Sequence, residues 1–238
     1  TQGRRPMEPS PTPTIPEPGS PSGRNAAIPH PHGTRTQAHF VVSRGEDLYL
    51  KMLLLDNLMH ADLHPGNILL RRARRYGRSS LALLDVGMVA RLTRREADAF
   101  IGFLNAMGAG DGAAAARCVL RFSDSQACTA REEFEADMSD LFRRTCRGYG
   151  TGIQFGEVLR GVLALVRDRG VAIDANYMTL VTNVLCLEGM AGTLVPEYNV
   201  LDAARPLLDA HRALPRPLFR LAMPLVASLK RVKDRVCR

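Results

Sequence analysis

The feature that most constrains this chain is a short run of chemistry-bearing residues at fixed spacing: H-A-D-L-H-P-G-N from His60 to Asn67, then L-L-D-V-G from Leu83 to Gly87. Between them lie two short apolar runs, Ile68 to Leu70 and Leu81 to Leu84, joined by a basic loop containing Tyr76, Gly77, Ser79 and Ser80. Such runs on either side of a polar loop predict a β-hairpin. A hairpin returns Asp85 to the neighbourhood of Asn67, so groups distant in sequence face one point. The segment before it, Glu46 to Leu58, is crowded with leucines and interrupted by Lys51 and Asp56, and is expected to be a buried helix running into a short strand.

An aspartate followed five positions later by asparagine, then strand, turn, strand and D-x-G, is the layout of a kinase catalytic loop and metal-binding loop. Moving a γ-phosphoryl group requires a carboxylate to orient the attacking hydroxyl and a divalent cation to neutralise the triphosphate. Asp62 is the expected catalytic carboxylate. The Asn67 amide oxygen and the Asp85 carboxylate are the hard donors expected to hold magnesium with ATP. Gly87 is expected to let the backbone leave that point sharply, and His60 to support the loop by packing and hydrogen bonding. A remote alternative reads His60, Asp62 and His64 as three ligands on one face of a strand, for zinc or iron in a metallohydrolase. The Pro65-Gly66 turn that follows counts against it.

Beyond Val89 the pattern is helical. Thr93 with Glu96 and Thr129 with Glu132 have capping-box spacing, which places helix starts near Arg94 and Ala130. Asp111 and Asp174 are candidate caps, and Gly148 and Gly170 candidate terminators. The fold class expected is mainly α with a small β-hairpin. Residues 1–36 hold most of the proline and almost no large apolar residues, so a disordered Pro-rich tail reaching to about residue 40 is expected. No run of eighteen apolar residues and no apolar leader occurs, which argues against a spanning helix or a signal peptide in this sequence. The five cysteines, without a C-x-x-C pair, point to a reducing compartment and away from structural zinc.

The H-P-G-N ending and the later D-V-G resemble the UbiB family of atypical kinases, also called aarF-domain kinases. The D-L-Y-L-x-M-L-x-x-D-N lead-in, Asp47 to Asn57, is similar to an animal branch of that family. The resemblance covers about residues 45–210, and it implies the C-terminal lobe of a protein-kinase-like fold, ATP and magnesium binding, a mitochondrial location and a role in coenzyme Q or related lipid metabolism. Only Met88, Val89, Ala90, Arg91 and Leu92 separate Gly87 from Thr93, and no A-P-E follows, so no long activation segment is present to dock a peptide. Upstream of residue 45 there is no G-x-G-x-x-G, no V-A-I-K-type lysine and no K-x-G-Q. The sequence is therefore expected to turn over little by itself, to expose apolar surface that invites a protein partner, and, as a second reading, to serve as a non-catalytic interaction scaffold.

The formal net charge is +8. Basic residues cluster at 71–78 and again from Arg212 to Arg238. Such clusters can serve anionic ligands or be solvated surface; nucleic acid is not an expected partner. Residues 211–238 are expected to form a basic amphipathic helix. Leu218, Phe219, Leu221, Met223, Leu225, Val226 and Leu229 would make its apolar side, and Pro224 a kink or break. It is expected to pack at its first half, and anionic or isoprenoid lipid at a membrane surface is a candidate partner.

Overall fold

The computed structural model describes residues 32–71, 79–152 and 154–236; side chains within the first and last helices are described from residue 35 and up to residue 232. Residues 1–31, Cys237 and most of the 71–78 basic cluster lie outside the described residues.

A first helix, α1 (His32–Lys51), passes through a π-helical turn, Met52–Asp56, into strand β1 (Leu58–His60). The helix-then-strand expectation for Glu46–Leu58 holds. The hairpin also forms, as β2 (Ile68–Arg71) and β3 (Ser80–Leu83), antiparallel with Ile68 opposite Leu83. Strand β4 (Val89–Arg91) pairs antiparallel with β1, Met59 opposite Ala90, so the described residues hold two small sheets where the sequence pattern suggested one hairpin. Two three-residue strands separated by about thirty positions leave no periodicity to read.

Among the described residues seven helices follow: α2 (Arg94–Ala109), α3 (Gly112–Val119), α4 (Arg131–Thr145), α5 (Phe155–Asp168), α6 (Ala175–Leu194), α7 (Val200–Ala213) and α8 (Arg216–Val236). The α2 capping box forms in both directions: the Glu96 amide donates to Thr93 Oγ1 at 3.2 Å, and the Thr93 amide donates to Glu96 Oε2 at 2.7 Å. Asp111 caps α3 by accepting from the Ala114 amide at 2.9 Å. Gly170, with φ +61°, follows the end of α5 as expected of a terminator.

Several expectations are corrected. The Thr129 box does not form, because α4 begins at Arg131 and the cap position falls on Ala130, one residue out of register. Asp174 occupies the cap position of α6 without a side-chain capping bond. The stretch to residue 40 is not a tail throughout, since α1 begins at His32. Its first turns are fixed by tertiary contacts that composition does not reveal. Arg35 pairs with Glu197 at 2.5 Å, His39 meets the Tyr198 ring edge-on at 5.5 Å, and Val42 is buried against Ala191, Val195 and Val200. Helix α8 runs unbroken through Pro224.

The core surrounds α6, whose buried residues are apolar apart from Asn183 and the Tyr177 hydroxyl, packed by α1, α2, α5 and α7. Its start anchors an aromatic cluster in which Phe122 stacks on Tyr177 at 4.2 Å, with Phe100 and Phe103 packed behind. Cys118, Cys128, Cys146 and Cys186 are free thiols.

Candidate functional site

Strand β1 ends at His60, and the chain turns through Ala61 and Asp62 before a 3-10 turn at Pro65–Asn67 leads into β2. His64 caps that turn, its Nδ1 accepting from the Gly66 amide at 3.1 Å. The Asn67 side chain is buried, and its Nδ2 donates to the Asp62 carbonyl at 3.0 Å and to Asp62 Oδ2 at 3.4 Å. With its nitrogen engaged by Asp62, the Asn67 amide keeps its oxygen as an acceptor.

The hairpin does what its sequence requires. The Leu84 amide donates to the Asn67 carbonyl at 2.9 Å, which sets Asp85 one residue beyond that contact. From the far side, the Ala61 amide donates to the Met88 carbonyl at 3.0 Å. The Asp85–Gly87 turn is thus tied at both ends to the loop that carries Asp62 and Asn67.

His60 makes a third tie. Its Nδ1 accepts from the Asp62 amide at 3.1 Å, so the ring proton sits on Nε2 and donates to the Leu84 carbonyl at 3.2 Å. One buried imidazole therefore spans the Asp62 loop and the residue before Asp85. With both nitrogens engaged and β1 ending at His60, the alternation needed for a His60, Asp62, His64 metal triad is absent. Among the described residues no three His, Cys, Asp or Glu side chains are grouped to hold a metal. The metallohydrolase alternative falls on that geometry. His64 instead sits beside Asp62, its Nε2 3.6 Å from Oδ2, with both side chains about half exposed.

The backbone strain is at Asp85 and not at the glycine. Asp85 has φ +47°, while Gly87 lies outside the left-handed region. Aspartate tolerates that conformation better than most residues, at a cost of about 1–2 kcal/mol. Gly87 contributes space instead, since a Cβ there would lie 3.3 Å from Asp85 Oδ1.

One residue was not read from the sequence. Asn183 of α6 is fully buried; its Nδ2 donates to the His60 carbonyl at 2.7 Å and its Oδ1 accepts from the Leu63 amide at 3.4 Å. It grips the loop on both sides of Asp62. An amide in the middle of a run of apolar residues was the available signal, because such a group is buried only with partners. Cys186, a turn further along α6, has its thiol pushed up by burial and by the Asp62 carboxylate.

Around Asp85 the surface is apolar: Leu69, Leu84, Val86, Met88 and Val89 are all exposed. An amide oxygen and a carboxylate are hard donors, and in that chemical sense Asn67 and Asp85 fit magnesium.

The chain matches the model of the ABC1 atypical kinase-like domain over residues 28–119, which contains the His60–Gly87 segment but not Asn183. It is 26% identical to a probable serine/threonine-protein kinase, abkC, of Dictyostelium discoideum, over 69% of this chain and 33% of that protein. It is 25% identical to the probable protein kinase UbiB of Pasteurella multocida, over 75% of this chain and 34% of the relative. A mitochondrial ABC1 family protein of Saccharomyces cerevisiae is 23% identical over 68% and 32%. The chain spans about a third of the length of these relatives. No solved structure matches it.

Proposed function

The chain belongs to the ABC1/UbiB family of atypical kinase-like proteins, and from that premise we propose that residues 60–87 are the acceptor and metal side of a phosphoryl-transfer site. The chain is then the C-terminal lobe of a kinase-like fold. Asp62 orients the attacking hydroxyl or water, Asn67 and Asp85 hold magnesium with ATP, and His60 and Asn183 keep the loop in register. The cation, when bound, neutralises charge on the transferring phosphoryl group.

The observation that carries this reading is the double tie of Asn67, through its side chain to Asp62 and through its carbonyl to the Leu84 amide. It makes one unit of the carboxylate that meets the acceptor and the carboxylate that meets the metal. The apolar rim of Val86, Met88 and Val89 is the surface on which a nucleotide-covering lobe or a protein partner docks. The mitochondrial relative of Saccharomyces cerevisiae supports a mitochondrial protein, and the kinship with UbiB supports a place in coenzyme Q or related lipid metabolism. No helix among the described residues is long and apolar enough to cross a membrane.

A second reading has one specific observation in its favour. The sole lysine upstream of the loop, Lys51, is paired with Asp56 at 2.5 Å and is not placed to grip a phosphate. In that reading this chain acts as a non-catalytic scaffold.

Magnesium-dependent ATP hydrolysis, measured for this chain and for a form extended upstream, each beside its Asp85→Ala variant, separates the two. The first reading expects turnover in the extended form and a loss of about a hundredfold or more on Asp85→Ala. Hydrolysis by neither form would leave only the scaffold.

A further inference from the structure

Asp62 is engaged at every polar atom but one. Its amide donates to His60 Nδ1 at 3.1 Å, and its carbonyl accepts from Asn67 Nδ2 at 3.0 Å. Oδ2 accepts from the same Asn67 nitrogen at 3.4 Å, and His64 Nε2 faces that oxygen at 3.6 Å. Among the described residues no donor is directed at Oδ1. An orienting carboxylate works best when one oxygen is anchored and the other is offered to the attacking hydroxyl.

The way His64 is held suits it to that anchoring. The ring caps the Pro65–Asn67 turn through Nδ1, which accepts from the Gly66 amide. In the neutral imidazole the proton therefore resides on Nε2, the nitrogen that faces Asp62. Position 66 gives the ring its room. A Cβ there would lie 2.8 Å from His64 Cε1 and 3.0 Å from Nδ1, so a side chain at 66 would push the imidazole off the turn. At 3.6 Å the Nε2–Oδ2 contact is longer than a hydrogen bond, as contacts of orienting groups often are before the acceptor is bound.

Resting on the phosphoryl-transfer reading of this loop, we propose that His64 is a positioning residue for Asp62. Its Nε2–H, together with Asn67 Nδ2, engages Asp62 Oδ2 and leaves Oδ1 to accept the hydrogen bond of the attacking hydroxyl or water. His64 acts through Asp62 alone, so loss of its ring lowers turnover without loosening the nucleotide.

The test compares steady-state ATP hydrolysis by the form extended upstream with its His64→Asn, His64→Gln and Gly66→Ala variants, beside thermal melts. The Asn carboxamide reproduces the cap through its oxygen but ends short of the Nε2 position; the Gln amide nitrogen reaches it. His64→Asn is expected to melt with the parent, to keep KM for magnesium-ATP and to lose about tenfold or more in kcat. Gly66→Ala keeps the imidazole but displaces it, so it is expected to lose kcat likewise and serves where His64→Asn shifts the melt. His64→Gln is expected to recover most of the activity. A residue that only caps the turn gives the reverse order, with full activity in His64→Asn and a lower melt in His64→Gln, and that order overturns the proposal. Nitrogen NMR of this chain, at a pH where the imidazole is neutral, is expected to show His64 protonated at Nε2, with a resonance that moves on Asp62→Asn; the Nδ1 tautomer overturns the proposal too. Hydrolysis that His64→Asn leaves intact sinks this role alone, whereas no hydrolysis by the extended parent sinks the phosphoryl-transfer reading and this role with it.

Discussion

At the scale of single residues, the site depends on groups whose partners are all spoken for. Asn183→Ala removes a donor from the His60 carbonyl and an acceptor from the Leu63 amide, both buried. Each orphaned group costs about 1–3 kcal/mol, so denaturant unfolding should show a loss on that order. Asn183→Asp keeps the acceptor but sets a carboxylate against the His60 carbonyl, and should not restore activity in the extended form. Gly87→Ala separates site from stability. Its Cβ presses Asp85 Oδ1 from 3.3 Å without straining the backbone, so magnesium-dependent nucleotide binding should weaken while stability changes by less than about 1 kcal/mol. That His60, Asp62, Asn67 and the Asp85 turn come together was legible in the sequence, because the hairpin fixes their spacing. Asn183 was not, since its partners lie about 120 positions away, and the left-handed backbone sits at Asp85 and not at Gly87, where the sharp departure was expected.

At the scale of elements, caps were readable where the register was unambiguous and misread where one residue decided it. Thr93 and Asp111 cap as their spacing implies; Thr129 does not, and Glu133 of that turn is drawn away to Arg169 at 2.5 Å. Glu96 serves both its own cap and Asn176 of α6, 2.8 Å away. Burial would raise its carboxyl, but the Thr93 and Asn176 bonds outweigh it and hold it below the usual value near 4.5. A depressed carboxyl contributes stability that is present above 4.5 and lost as pH falls through the folded value. Thermal melts of Glu96→Gln should therefore lie below those of the parent at neutral pH and converge with them in acid. The α1–α8 junction is the other element-scale hinge of the account. Burial alone would lower Lys230, yet Glu46 and Asp47 outweigh it and hold it above the ordinary lysine value, charged and paired. Lys230→Met strands the Glu46 carboxylate, Asp47 keeping its pair with Arg231, and should cost about 3–5 kcal/mol, much of it recovered by adding Glu46→Leu. Nothing in the periodicity of α8 announced that junction, because a buried lysine reads as part of a basic tail.

At the scale of the whole molecule, the described residues divide their labour. Helices α2 to α7 make the core around α6, α6 reaches out through Asn183 to fix the Asp62 loop, and two small sheets bring Asp85 to it. The helical class follows from the caps and apolar runs. The second sheet does not, since β1 and β4 acquire meaning only when paired. The central claim is that Asn67 and Asp85 form one metal site beside Asp62. It is tested most directly by water-proton relaxation with Mn²⁺ as the probe, with and without ATP, in the chain and in its Asp85→Ala and Asp62→Asn variants. The account predicts ATP-enhanced Mn²⁺ binding that Asp85→Ala abolishes and Asp62→Asn retains; equal Mn²⁺ binding by the chain and by Asp85→Ala would contradict it.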